Sequence, residues 1–217
     1  MERFYPVFLD MKKKKCLVVG GGMVAARKVK SLLDCGAAVT VVSPALTVEL
    51  KEMAAAETIA YLPEPYNRKH LAGAFLVIVA TDEQDTNRMI AADCFARNVL
   101  VNVVDIPDLC NFYVPSLVSR GPLSVAISTE GKSPAYARLL REELEQRFSE
   151  DHGEFVRFLG EIRPLIMEQV TDSQRRKELF REIAGEDFFN LYKTLPFGQL
   201  EEKAREMISR YCNLIDN

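Results

Sequence analysis

The chain has 217 residues, 48% of them hydrophobic and 27% charged, which is ordinary globular composition with room for one large domain or two small ones. A net charge of −3, from 28 basic and 31 acidic residues, argues against a nucleic-acid protein held mainly by phosphate neutralisation. No apolar run approaches the roughly 18–20 residues a membrane helix needs, and the lysines at 12–15 follow the first apolar stretch, the wrong order for a secretory signal.

Residues 15–19 (KCLVV) form a short apolar run that ends directly in Gly20-Gly21-Gly22. A helical pattern follows from Val24 to Asp34, and Gly36 ends it as a left-handed cap residue would. Next come a strand at 38–43, a helix over 47–56 and a strand at 58–62. A second cycle gives a strand at 75–81, a helix over 85–97 and a strand at 99–105. Continuous β-branched runs separated by amphipathic helices predict a parallel sheet buried on both faces, and five such strands make a Rossmann-like, doubly wound α/β fold. After Asp105 the texture changes. Turn residues at Pro107, Pro115 and Gly121-Pro122 frame two strand-like pieces, 111–118 and 123–128. With no crossover helix between them they read as a short antiparallel arm suited to a dimer interface. From Ser133 the pattern is helical almost to the end, and the expected division is 1–113, 114–148 and 149–217. Charge follows it: residues 142–217 carry 17 acidic and 11 basic side chains, the first 141 carry 14 and 17.

Gly20-x-Gly22-x-x-Ala25 lies between a strand and a helix, where a dinucleotide fingerprint belongs. The first glycine permits the turn, the second lets the backbone approach a pyrophosphate, and the alanine allows close helix–strand packing. The helix N-terminus adds N–H donors and partial positive charge. At the end of the second strand, where an acid would bind the ribose hydroxyls, stands Ser43-Pro44. With no arginine directly after it, this favours NAD over NADP. Thr81-Asp82 ends the fourth strand at the same carboxyl edge, with Asn87 in the helix that follows, and reads either as a cofactor contact or as a helix cap.

Asp105 ends the apolar strand VLVNVV. A carboxylate there costs desolvation unless it is paired or useful; general acid–base work and a turn cap are both open. In the loop 128–134 (STEGKSP), Ser133 is a good N-cap and Pro134 a good first helical residue. Lys132, Arg138 and Arg141 add cations there, so the loop reads either as an anion site, suited to a substrate bearing carboxylates, or as a well-capped helix start with a surface lysine. The five cysteines (Cys16, Cys35, Cys94, Cys110, Cys212) fall in no metal-binding spacing, and His70 and His152 are the two histidines. Reduced thiols in a cytoplasmic protein, and no metal site, are expected.

Together, YPVFLDMKKKKCLVVGGGMVAARKV, VVSP, VATDEQDTN, VNVVD and PLSVAISTEGKSPAYARLLREELE resemble the precorrin-2 dehydrogenase family of sirohaem biosynthesis, including the dehydrogenase/ferrochelatase portion of sirohaem synthases. The resemblance implies NAD-dependent oxidation of precorrin-2 to sirohydrochlorin, followed in some members by ferrous iron insertion, with iron as a substrate. It implies a homodimer that exchanges the middle segment. It assigns the essential aspartate to Asp105, the glycine loop to Gly20, Gly21 and Gly22, cofactor contacts to Met23, Val24, Ser43, Pro44 and Ala45, and the AIS serine to Ser128. For the eight carboxylates of the tetrapyrrole the candidates are Arg120, Lys132, Arg138 and Arg141. Met23 departs from an acid common in the family, and Glu130 from a glycine. The alternative is an NAD-sensing regulatory module without catalysis. Neither reading involves nucleic acid or a membrane.

Overall fold

The computed structural model describes residues 4–212. These divide into two compact units that part after Val114.

The first unit is a five-stranded, wholly parallel sheet in the order β3-β2-β1-β4-β5. Its strands are β1 (Lys15–Val19), β2 (Ala38–Val42), β3 (Ala60–Leu62), β4 (Leu76–Val79) and β5 (Leu100–Val103), crossed by α1 (Met23–Asp34), α2 (Val48–Ala55) and α3 (Gln84–Phe95). Both faces of the sheet are covered, which is why the strands read as unbroken apolar runs rather than alternating ones. Along β1, Cys16 and Val18 join the core under α1 and α2, while Leu17 and Val19 join the core under α3. In β4, Leu76 and Ile78 divide from Val77 and Val79 in the same way. The order reverses between β1 and β4, so the carboxyl ends of these two strands open a crevice where ligands of such sheets bind.

The free edge of β5 is covered without a further strand. The Asn111 side chain accepts from the Val101 amide (2.7 Å) and donates to the Val99 carbonyl (2.9 Å), while its own amide donates to the Val101 carbonyl (3.0 Å). Asn102 donates to the Phe112 carbonyl at 3.1 Å. These amides stand in for strand pairing, and the arm strand expected from 111 begins only at Ser116.

The second unit holds the antiparallel pair β6 (Ser116–Arg120) and β7 (Leu123–Ile127), then α4 (Pro134–Arg147), α5 (Glu150–Gln169), α6 (Ser173–Ile183), α7 (Glu186–Thr194) and α8 (Phe197–Cys212). Phe155, Phe158, Ile166, Leu179 and Ile208 centre its core. Those phenylalanines are packing residues, as their helical spacing implies. His152 caps α5 and packs against Phe148 and Phe189.

Candidate functional site

A cleft of about 610 Å³ opens at the carboxyl edge of the sheet, walled by Gly20–Gly22, by Ser43–Thr47, by Pro65-Tyr66 and by Ala80–Glu83 with Thr86. The glycines differ in what demands them. Gly20 has φ +116°, and a side chain on it would strike the Ala80 carbonyl. One on Gly21 would strike the Ala45 carbonyl. Gly22 is different: its φ is −84°, it is exposed, and a Cβ there meets nothing within 4 Å. The fold places no demand for glycine at 22, whereas a pyrophosphate lying against the backbone would.

Gly22 is also the N-cap of α1, which carries no side-chain cap and no acid in its first turn. The end of the helix therefore keeps its donors and partial positive charge for an anion. Helix α1 starts at Met23, one residue earlier than the pattern predicts; Met23 is 80% exposed and Val24 half-buried. The residues present fit a dinucleotide such as NAD, whose nicotinamide supplies the hydride-accepting carbon when it is bound.

The Ser43 hydroxyl does not face the cleft as a free donor. Ser43 is 8% exposed, its Oγ donates to the Ala45 carbonyl at 2.7 Å, and its own carbonyl accepts from the Tyr61 hydroxyl at 3.1 Å. It shapes the 43–47 loop; Pro44 and Ala45 are exposed on the cleft wall. Thr81 lies at the cleft but is not the cap of α3, whose N-cap is Glu83 without a side-chain capping bond. Its hydroxyl donates to the buried Asn87 side chain (2.6 Å) while accepting from the Glu83 amide (3.3 Å), which fixes the start of α3. Asp82 is exposed beside it. Tyr66 was not anticipated from the sequence. Its ring joins the α3-side core while its hydroxyl donates to Asp93 at 3.2 Å. The Arg68 guanidinium, hydrogen-bonded to Asp93, holds that carboxyl below the usual range, while burial beside Asp93 pushes the Tyr66 phenol up.

Asp105 follows β5 at the same sheet edge. It is exposed, which corrects the expected desolvation, and its backbone sits at φ +61°, in the left-handed region where Asp is one of the few side chains found. The flanking turn is held by the Val104 amide on the Val79 carbonyl (2.9 Å) and the Ile106 amide on the Val103 carbonyl (3.3 Å). Such a conformation persists where its surroundings impose it, and it clusters at functional sites. Lys28, half-buried on α1, is close enough to feel Asp105: burial and then Arg27 lower its pKa, and Asp105 acts in the opposite sense.

In the second unit Ser133 caps α4, its Oγ accepting from the Tyr136 amide at 3.3 Å. Ser128 is exposed and its hydroxyl accepts from the Glu130 amide at 3.1 Å. The four expected cations are not equally placed. Arg120 donates to the carbonyls of Phe148 (2.9 Å), Glu145 (3.2 Å) and Ser119 (2.9 Å), so its guanidinium ties β6 to the α4–α5 junction. Arg141 is paired with Glu145 and Glu142 and half-buried. Lys132 and Arg138 are exposed; Lys132 pairs with Glu130 at 3.3 Å, and Arg138 donates to Glu142 at 2.8 Å. Among the described residues no group of three or more His, Cys, Asp or Glu side chains could hold a metal, and no helix is long and apolar enough to cross a membrane.

Comparison with known proteins agrees with this geometry. Residues 7–116 match the family described as "Putative NAD(P)-binding", and residues 120–147 the one described as "Sirohaem biosynthesis protein central". The chain is 41% identical to the siroheme synthase of Methylobacillus flagellatus over 209 residues, covering 94% of this chain and 43% of that protein. It is 34% identical to that of Neisseria meningitidis, covering 95% and 43%. It thus spans less than half the length of these relatives. The solved structure of SirC, precorrin-2 dehydrogenase, superposes with a TM-score of 0.77 at 32% identity, covering 96% of this chain and 100% of that one. With one relative matched end to end and the NAD(P)-binding family matched over half of its residues, the chain belongs to the family shared by precorrin-2 dehydrogenases and sirohaem synthases.

Proposed function

We propose that this chain oxidises precorrin-2 to sirohydrochlorin with NAD as the hydride acceptor, a step of sirohaem formation. The observation that carries the reading is the end-to-end likeness to a precorrin-2 dehydrogenase. It is supported by a dinucleotide-sized cleft and an exposed carboxylate at one edge of the same sheet.

The reaction removes two electrons and two protons from the macrocycle; one hydride goes to the nicotinamide and one proton remains to be taken up. Asp105 is the group we assign to that proton, at its carboxylate, with solvent as the onward acceptor. The same carboxylate can instead orient the ring through its pyrrole N–H groups, and holding the reduced carbon at the nicotinamide contributes up to roughly 7–11 kcal/mol of barrier lowering. Lys132 and Arg138, exposed at the start of α4, are the first candidates for the substrate's carboxylates, since they exchange weak surface pairs for new ones. Ser128 lies in the same loop. Arg120 and Arg141 contribute only by giving up partners they hold.

The reading extends to a homodimer in the cytoplasm. Val114 and Leu117, about half exposed at the arm, supply apolar surface for a second copy, and the five cysteines are free thiols suited to a reducing compartment.

The test is anaerobic incubation of the protein with precorrin-2 and NAD, followed by ferrous ion. NADH formation is expected. Tight NAD binding without NADH would replace the enzyme by a binding module. Metal insertion faster than the spontaneous rate would add the ferrochelatase step, with iron as substrate.

A further inference from the structure

The loop ahead of α4 carries a carboxylate where the backbone disfavours one. Residues 129–132 close a tight turn, the Lys132 amide donating to the Thr129 carbonyl at 3.0 Å. Its two central residues, Glu130 (φ +52°) and Gly131 (φ +76°), are both left-handed. Glycine adopts that backbone freely, whereas glutamate crowds its Cβ against the following carbonyl oxygen. The turn is pinned on both sides. The Ser128 hydroxyl accepts from the Glu130 amide (3.1 Å), and the Thr129 hydroxyl accepts from the Ser133 amide (3.2 Å).

Backbone strain of this kind persists where its surroundings impose it, and it directs attention to what the side chain does. The Glu130 carboxylate, one-third exposed, lies 3.3 Å from the ammonium of Lys132, which is two-thirds exposed. These are the only two charged residues in 128–133, so the loop is neutral as folded. A carboxylate on that ammonium has the chemistry of the substrate's own carboxylates, and it repels any other anion that approaches. An exposed pair is weak. A ligand that brings several carboxylates displaces it, because contacts made elsewhere raise the effective concentration of the one that reaches Lys132. A small anion, with a single contact to offer, gains less by the exchange.

We propose that Glu130 is an internal competitor for a substrate cation: its carboxylate holds Lys132 in place of a substrate carboxylate and sets the threshold that an incoming anion must exceed. The inference rests on the reading above that Lys132 receives a tetrapyrrole carboxylate, and adds the residue that controls access to it.

Steady-state oxidation of precorrin-2, with inorganic phosphate as a small-anion inhibitor, tests it in the unsubstituted protein, Glu130→Gln, Glu130→Gly, Lys132→Met and the double variant Glu130→Gln/Lys132→Met. In Glu130→Gln the KM for precorrin-2 and the inhibition constant for phosphate should each fall about threefold to fivefold, the scale of an exposed ion pair. Its kcat and its Kd for NAD should not change. Lys132→Met should raise KM, and adding Glu130→Gln to it should change nothing further, since the competitor has lost its target. Glu130→Gly, which relieves the backbone, should match Glu130→Gln; a KM lowered by glycine alone would assign the effect to strain and overturn the inference. KM and phosphate inhibition unchanged in both Glu130 variants, with KM raised in Lys132→Met, would also overturn it and leave Lys132 as a substrate cation. So would a fall in KM that persists in the Lys132→Met background, since Glu130 would then act elsewhere. An unchanged KM in Lys132→Met would remove the Lys132 reading and the inference together. No NADH from the unsubstituted protein would remove the proposed function beneath both.

Discussion

At the scale of single residues the proposed reaction depends most on Asp105 and Gly22, and for opposite reasons. Asp105 holds a left-handed backbone while exposed at the sheet edge, so its carboxylate is placed by the turn rather than by side-chain partners. Asp105→Asn should therefore keep the fold and the NAD affinity and lower the oxidation rate at least about 100-fold, the usual scale for an acid–base group. Steady-state rates beside titrated Kd values check this, and an unchanged rate would remove Asp105 from the mechanism. Gly22 has open space where a Cβ would go. Gly22→Asp should leave thermal unfolding nearly unaltered while abolishing NAD binding, because the new carboxylate occupies and repels the pyrophosphate position. Loss of folding instead would show that 22 is a structural glycine like its two neighbours. Both positions stood out in the sequence, Gly22 by its place between strand and helix and Asp105 by ending an apolar strand. The inward turn of the Ser43 hydroxyl did not, because its acceptor is the carbonyl two residues on, and that geometry appears only once the 43–47 loop is folded over Gly21.

Among the elements, the parallel strands were read to within about two residues at most ends, since a strand buried on both faces leaves an unbroken apolar run. The helix start at Pro134 was equally plain from Ser133-Pro134. The arm was read too long at its start, because 111–115 (NFYVP) is apolar enough to pass for strand, whereas the chain bends at 111–112. Asn111 decides otherwise, using its side-chain amide where a neighbouring strand would offer backbone. Asn111→Ala would strand the Val101 amide and the Val99 carbonyl and should destabilise the sheet unit by about 2 kcal/mol. Urea unfolding followed by far-UV circular dichroism measures this; a loss within about 0.5 kcal/mol would mean that water satisfies the β5 edge as well as the amide does.

For the molecule as a whole, acid sensitivity follows from carboxylates that the fold holds ionised. Asp93 on α3 accepts from Arg68 and Tyr66, and the Arg68 hydrogen bond lowers its pKa. A lowered folded-state value means that the stabilisation is present above the unfolded value, roughly pH 4, and is lost as pH falls through the folded one. The urea midpoint should fall between pH 6 and pH 3, and Asp93→Asn should be less stable at pH 6 yet show a shallower fall. Parallel curves for the two proteins would mean that Asp93 does not couple to folding. By itself, the sequence determined the α/β class, the glycine turn between the first strand and helix, and the helical second half. These depend on apolar periodicity and turn chemistry, which act between near neighbours in the chain. Only the tertiary structure decided that Arg120 ties β6 to the α4–α5 junction, that Asn111 closes the sheet and that Ser43 is spent. Each is a choice of hydrogen-bond partner, and which partner lies within about 3 Å depends on how the chain closes in space.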